Sequence, residues 1–280
     1  MRILCLHGFG MNVEVMKRQM AALLKFCDPS WDFVFLEATI DCPPAPGARA
    51  VSPGPFFCWS RDFNPLSMES AYASVDEVFK QRGPFDGTFC FSLGVAVMVG
   101  YLLQQVTLHP DMPLPVRFGI FCSAVPIVAV DLEYRRSVFG SLSAEDIRSL
   151  HSTEDDRLAQ IAEPARTAVR VLLGATDVLG PVIRLTRKDL LHRPLLEIPC
   201  PLDPNLMKAR LSIPTLHVRA KDDEPGLKVT SALAGSFCES KQRRIYEHSA
   251  AHNLPRSEAE AQEMVAAMEW VISKSQMSKL

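Results

Sequence analysis

The sequence predicts an α/β fold: a mostly parallel sheet with helices on both faces and an inserted helical lid. Three observations predict it. Short apolar runs alternate with segments of helical period through the first half, as strands joined by crossover helices do. A strand–turn–helix unit is centred on Cys90-Phe91-Ser92-Leu93-Gly94. Between about 124 and 210 the alternation stops and helical patterns dominate, and strand-like runs return afterwards. The 280 residues are read as one domain, with 124–210 as the lid insertion.

The elements follow in order. Arg2 to Leu6 opens the sheet, its apolar part being too short for a signal peptide. His7-Gly8-Phe9-Gly10 is a glycine-rich turn. Val13, Met16, Met20 and Leu23 recur at steps of three and four, an amphipathic helix with Asn12 as its N-cap. Trp31 to Leu36 is the second strand. Pro43-Pro-Ala-Pro-Gly47 ends regular structure and begins a loop that reaches about Asp62. Met68, Ala71, Tyr72, Val75 and Phe79 form the next helical face. Thr88 to Phe91 is a buried strand and Val95 to Gln105 a buried helix. Val116 to Cys122 is a strand interrupted by Arg117 and Gly119.

In the lid, Ser143-Ala-Glu-Asp146 starts a polar helix that runs towards Gln160. Ala165 to Leu173 and Val182 to Leu191 read as helices, and Pro194, Pro199, Pro201 and Pro204 punctuate the end. Thr215 to Val218 and Arg244 to Glu247 are strands, and Ser257 to Ile272 is a closing helix.

Thirty basic and 32 acidic residues give a net charge of −2, which leaves no footprint for nucleic acid or an anionic membrane. No apolar run reaches the roughly 18 residues of a membrane span. The eight cysteines form no CxxC pair and mostly lie in apolar runs, so they read as reduced core thiols rather than a zinc site or disulfide framework. Ser278-Lys279-Leu280 is a peroxisomal address read by a soluble import receptor, so the expected localisation is the peroxisome.

Ser92 sits where a nucleophile elbow, G-x-S-x-G, would place its serine, with Cys90 in place of the first glycine. The plainer reading is a helix N-cap. Serine needs a base to take its proton and a carboxylate to orient that base. In this architecture the acid and then the histidine follow the serine in the chain. Asp222, Asp223 and Glu224 follow the strand at 215–218, with Asp223 preferred and Asp222 next. Asp177 imitates the same pattern inside the lid. His252 follows the last strand and is the candidate base. His248, at the strand end, reads as structural, and His7 as a support for the first turn. An oxyanion hole needs two backbone N–H groups. Leu93 supplies one, and Phe9, or alternatively Gly10, the other. Lid residues and the Pro53–Trp59 loop are apolar enough to line an acyl pocket.

The sequence resembles the fungal serine hydrolases of the FSH/LovG type, a branch of the α/β-hydrolase superfamily. The stretches that carry the resemblance are Ile3-Leu-Cys-Leu-His-Gly-Phe-Gly10, Phe33-Val-Phe-Leu36 with Pro43–Gly47, Gly83-Pro-Phe-Asp-Gly87 through Ser92, Ile213-Pro-Thr-Leu-His-Val218, and His252. The resemblance implies an α/β-hydrolase fold and a Ser92–Asp223–His252 triad with no metal or organic cofactor. It also implies hydrolysis of a small carboxylic ester or acyl thioester, acyl-CoA included, within secondary-metabolite or toxin pathways. Cys90 and Leu93 depart from it, standing where the family has glycine and often glutamine. Two rival readings keep the fold: a non-hydrolytic binding protein, and acyl transfer or condensation on the same site.

Overall fold

The computed structural model describes residues 1–277. Ser278, Lys279 and Leu280, the expected import signal, lie outside the described residues. The chain opens with β1 (Arg2–Leu6), α1 (Val13–Gln19), α2 (Ala21–Leu24) and β2 (Asp32–Leu36). A two-residue ribbon follows, β3 (Ile40–Asp41) against β4 (Phe57–Cys58), and then α3 (Pro65–Arg82). The centre is β5 (Gly87–Phe91), α4 (Leu93–Leu108) and β6 (Phe118–Cys122). Five helices come next: α5 (Leu132–Phe139), α6 (Ala144–Ser152), α7 (Asp155–Leu158), α8 (Ala165–Ile183) and α9 (Arg187–Leu191). The chain closes with β7 (Thr215–Ala220), α10 (Pro225–Ser236), β8 (Arg243–His248) and α11 (Glu258–Met277).

Six strands form one sheet in the order β2-β1-β5-β6-β7-β8, every pair parallel. Side chains alternate across it, as the two-residue period of a strand requires. Ile3, Cys5, Phe89 and Phe91 pack under α1, α2 and α11, while Leu4, Leu6 and Cys90 pack under α3 and α4. Both faces are covered, which is why β5 and β6 are buried at every residue and read as continuous apolar runs. The chain lays β2 outside β1, then returns to place β5 on the other flank of β1. That reversal opens a crevice at the carboxyl ends of β1 and β5.

Three expectations need correction. The stretch from Pro43 to Asp62 is not structureless, because β4 returns to pair with β3 and a short 3-10 turn spans Ala48–Ala50. The helix from Ser143 stops at Ser152, where Thr153 takes a left-handed φ of 61°, and α7 is a separate turn. α8 runs through Gly174 and Pro181 and ends at Arg184, φ 59°, so Val182 and Ile183 belong to it and not to α9. Asp177 therefore lies on a helix, paired with Arg187 at 2.5 Å, and not at a strand end.

Candidate active site

Register brings the candidate residues together. Leu6 pairs with Cys90, so the turn after β1 emerges beside the turn after β5. Ala220 pairs with His248, so Asp223 and His252, three and four residues further on, leave the sheet side by side. The bond from the Lys221 N–H to the His248 carbonyl, 2.8 Å, holds those two loops together.

Ser92 has φ 52° and ψ −115°, a conformation that L residues rarely adopt. Its N–H donates to the Cys122 carbonyl at 2.9 Å, which fixes the turn against β6. Gly94 is required behind it: a Cβ there would fall 2.4 Å from the Leu6 carbonyl oxygen, so α4 lies directly on β1. Cys90 fits in place of the first glycine because its thiol turns into the core, 3.1 Å from the Thr88 hydroxyl. Burial pushes that thiol up to about 12, so it stays protonated and inert.

The imidazole of His252 spans the other two side chains. Its Nε2 lies 3.0 Å from Ser92 Oγ and its Nδ1 lies 3.0 Å from Asp223 Oδ2. The other oxygen of Asp223 accepts the Glu224 N–H at 2.9 Å, which fixes the plane of the carboxylate. Phe91 packs against the ring, centroids 5.5 Å apart. The loop carrying His252 is clamped at Asn253, whose Oδ1 accepts from Gln19 Nε2 at 2.8 Å and from the Leu254 N–H at 2.9 Å. Ser92 and Asp223 are buried, and His252 is partly open to the cavity. Asp222 lines the cavity without reaching the imidazole. His248 is fully buried and accepts the Ala250 N–H at 3.1 Å, and burial lowers its basicity.

The turn after β1 runs against the serine, since a Cβ on Gly8 would lie 3.1 Å from the Ser92 Cβ. The Gly10 N–H is taken by the Phe57 carbonyl at 3.1 Å, which removes Gly10 as an oxyanion donor. The Phe9 N–H makes no backbone hydrogen bond among the described residues. Leu93, the first residue of α4, has an N–H that the helix's own ladder does not use. His7 does hold this turn: Nε2 accepts the Ala38 N–H at 3.2 Å, Nδ1 donates to the Gly8 carbonyl at 2.7 Å, and Trp59 donates to the His7 carbonyl at 2.8 Å.

A cavity of about 820 Å³ opens over Ser92 and His252. Met11, Val15, Phe63 and Val125 line it, and Val178, Leu179, Val182 and Ile183 of α8 form one wall. The Pro53–Trp59 loop does not line it, contrary to expectation. Phe57 and Trp59 are spent bracing the turn after β1, and Ala45 to Ala48 and Val51 take the wall position instead. The clamp at Gln19–Asn253 and the cavity residues Arg18 and Arg256 were not foreseen.

A serine on a strained turn beside a topological switch, under a parallel sheet's carboxyl edge and in line with a histidine and an aspartate, belongs to the α/β-hydrolase class. The chain is a member of the serine hydrolase (FSH1) family, whose profile matches residues 1–264. It is 38% identical to serine hydrolase cnsH of Penicillium expansum, over 85% of this chain and 98% of that one. It is 30% identical to esterase alnB of Emericella nidulans, over 98% of each chain. Hydrolase FUB4 of Gibberella moniliformis is 27% identical over 91% of this chain and 92% of its own. The protein is therefore an enzyme of the serine hydrolase class. Among the described residues no helix is long and apolar enough to cross a membrane, and no group of side chains is arranged to hold a metal ion.

Proposed function

We propose that the protein hydrolyses a small carboxylic ester or acyl thioester through an acyl-enzyme on Ser92, within a fungal biosynthetic pathway. The observation that carries this reading is the unbroken line from Ser92 Oγ through His252 to Asp223, at 3.0 Å on each side. Asp223 holds the proton on Nδ1, which leaves Nε2 free to take the proton from Oγ. Ser92 attacks the carbonyl carbon, and the N–H groups of Phe9 and Leu93 receive the oxyanion. The imidazolium returns its proton to the departing alcohol or thiol. Water then enters, gives a proton to Nε2, attacks the acyl-enzyme and releases the carboxylic acid and the free serine hydroxyl. The helices of 124–210 act as a lid whose α8 wall keeps bulk water from the acyl group.

A fluorophosphonate probe and an ester assay test this. Wild type is expected to label, and Ser92→Ala to lose labelling entirely. His252→Ala and Asp223→Asn are expected to lower kcat by about four orders of magnitude with the fold intact by circular dichroism. A folded wild type that does not label would favour the non-hydrolytic binder. We further propose delivery to the peroxisome through Ser278-Lys279-Leu280. A fluorescent protein fused ahead of this chain should become punctate with the tripeptide and diffuse without it, and no difference would reject the address.

A further inference from the structure

The cavity over Ser92 is uneven in charge. Its α8 wall is apolar, with Val178, Leu179, Val182 and Ile183. On another wall stand two arginines, Arg18 in the last turn of α1 and Arg256 beyond the His252 loop. Among the described residues neither guanidinium has an ion pair or hydrogen bond. The hydrogen bond from Gln19 to Asn253 ties these two pieces of chain together, so the neighbouring arginines share one rim.

The chemistry sets the side from which the leaving group departs. Nε2 must hand its proton to the leaving atom, so the leaving group departs on the Nε2 side of the imidazole. Asp223 occupies the Nδ1 side, and its neighbours Asp222 and Glu224, the acidic members of the cavity wall, go with it. Arg18 and Arg256 stand on the helix and loop joined by the Gln19–Asn253 hydrogen bond, both exposed at the cavity rim.

We propose that Arg18 and Arg256 are specificity residues that select substrates whose leaving group carries negative charge, a phosphate-bearing thiol above all. This rests on the reading of Ser92, Asp223 and His252 given above. Guanidinium groups offer paired N–H donors that match phosphate and carboxylate oxygens. An unpaired cation at a cavity's rim favours an anionic guest, and the apolar α8 wall suits an acyl chain.

The test compares one acyl group on three thiols: coenzyme A, 3-mercaptopropionate and neutral N-acetylcysteamine. Wild type should show a kcat/KM for the coenzyme A thioester about tenfold above the neutral one at low salt. That ratio should fall towards one in Arg18→Gln/Arg256→Gln and at about 0.5 M salt. A raised rate for the mercaptopropionate thioester as well would mean that charge alone is read, and a rise for coenzyme A only would mean that phosphate is read. Both outcomes support the proposal. Equal turnover of all three by wild type would overturn it and leave the hydrolase reading standing. A charged-to-neutral ratio unchanged in the double variant would acquit these two arginines. No turnover of any thioester or of a p-nitrophenyl ester would bring down the hydrolase reading, and this inference with it.

Discussion

At the scale of single residues, the site is organised by what Ser92 cannot avoid. Its backbone is held at φ 52°, a conformation worth about 1–3 kcal/mol of strain. The surroundings over-determine it: the bond to Cys122 on one side and the contact of Gly94 with β1 on the other. The strain has a use, because it directs Oγ out of the helix and towards Nε2. An ordinary N-cap serine would instead have extended backbone and would accept an N–H of the first turn, and Ser92 does neither. That Ser92, Asp223 and His252 would come together was legible because each follows a strand, in the chain order of this architecture. Cys90 in the elbow was ambiguous in sequence and is settled by burial beside Thr88. The choice between Phe9 and Gly10 could not be read, because it depends on which N–H the returning Phe57 takes. Nor could the two cavity arginines, since a surface arginine has no local signature.

At the scale of elements, strands were easier to read than helices. Every strand of the main sheet but the edge strand β8, Arg-Arg-Ile-Tyr-Glu-His, coincides with an apolar or β-branched run. α10 was missed because Pro225-Gly-Leu-Lys-Val-Thr-Ser-Ala-Leu-Ala-Gly-Ser236 is rich in small residues and breakers, which look like a loop. Those small residues are what the packing needs. A Cβ on Gly226 would lie 1.9 Å from the Gly174 carbonyl oxygen, so α10 starts in direct contact with the backbone of α8. A Cβ on Gly174 meets nothing closer than 3.5 Å. The pair should therefore respond in opposite ways. Gly226→Ala should cost about 1–3 kcal/mol in urea unfolding. By pushing α8 and its cavity wall outward it should also raise KM for apolar acyl substrates more than it lowers kcat. Gly174→Ala should be neutral or stabilising by up to about 1 kcal/mol, because alanine is the better helix former. Equal losses in the two variants would mean that this crossing does not set the position of α8.

At the scale of the whole molecule, positions 9, 92, 223 and 252 meet only because one sheet sets the register of every loop at its carboxyl edge. The helices between β6 and β7 share their hydrophobic core with α3 and α4, so those helices and the sheet should melt together. His217 gives a handle on that cooperativity. It lies on β7 between β6 and β8, fully buried, packed on Phe121 and hydrogen-bonded to Thr215. Burial first, then the nearby Arg219 and Arg243, lowers its pKa from 6.5 to about 3. A histidine whose folded pKa is depressed contributes stability above its unfolded pKa, and that contribution fades as pH falls through the window from 6.5 to 3. Between pH 7 and pH 5 the unfolded chain gains a proton that the native sheet refuses. Wild type should therefore lose about 2 kcal/mol more than His217→Gln over that interval. Because the ring sits mid-sheet, only global opening exposes it to protonation. Circular dichroism and fluorophosphonate labelling should then share one urea midpoint at each pH, and that midpoint should move less in the variant. If labelling fails at lower urea than the circular dichroism signal, the helices between β6 and β7 open on their own and the shared-core argument is wrong. If the two proteins shift alike between pH 7 and pH 5, His217 is not the group that resists protonation.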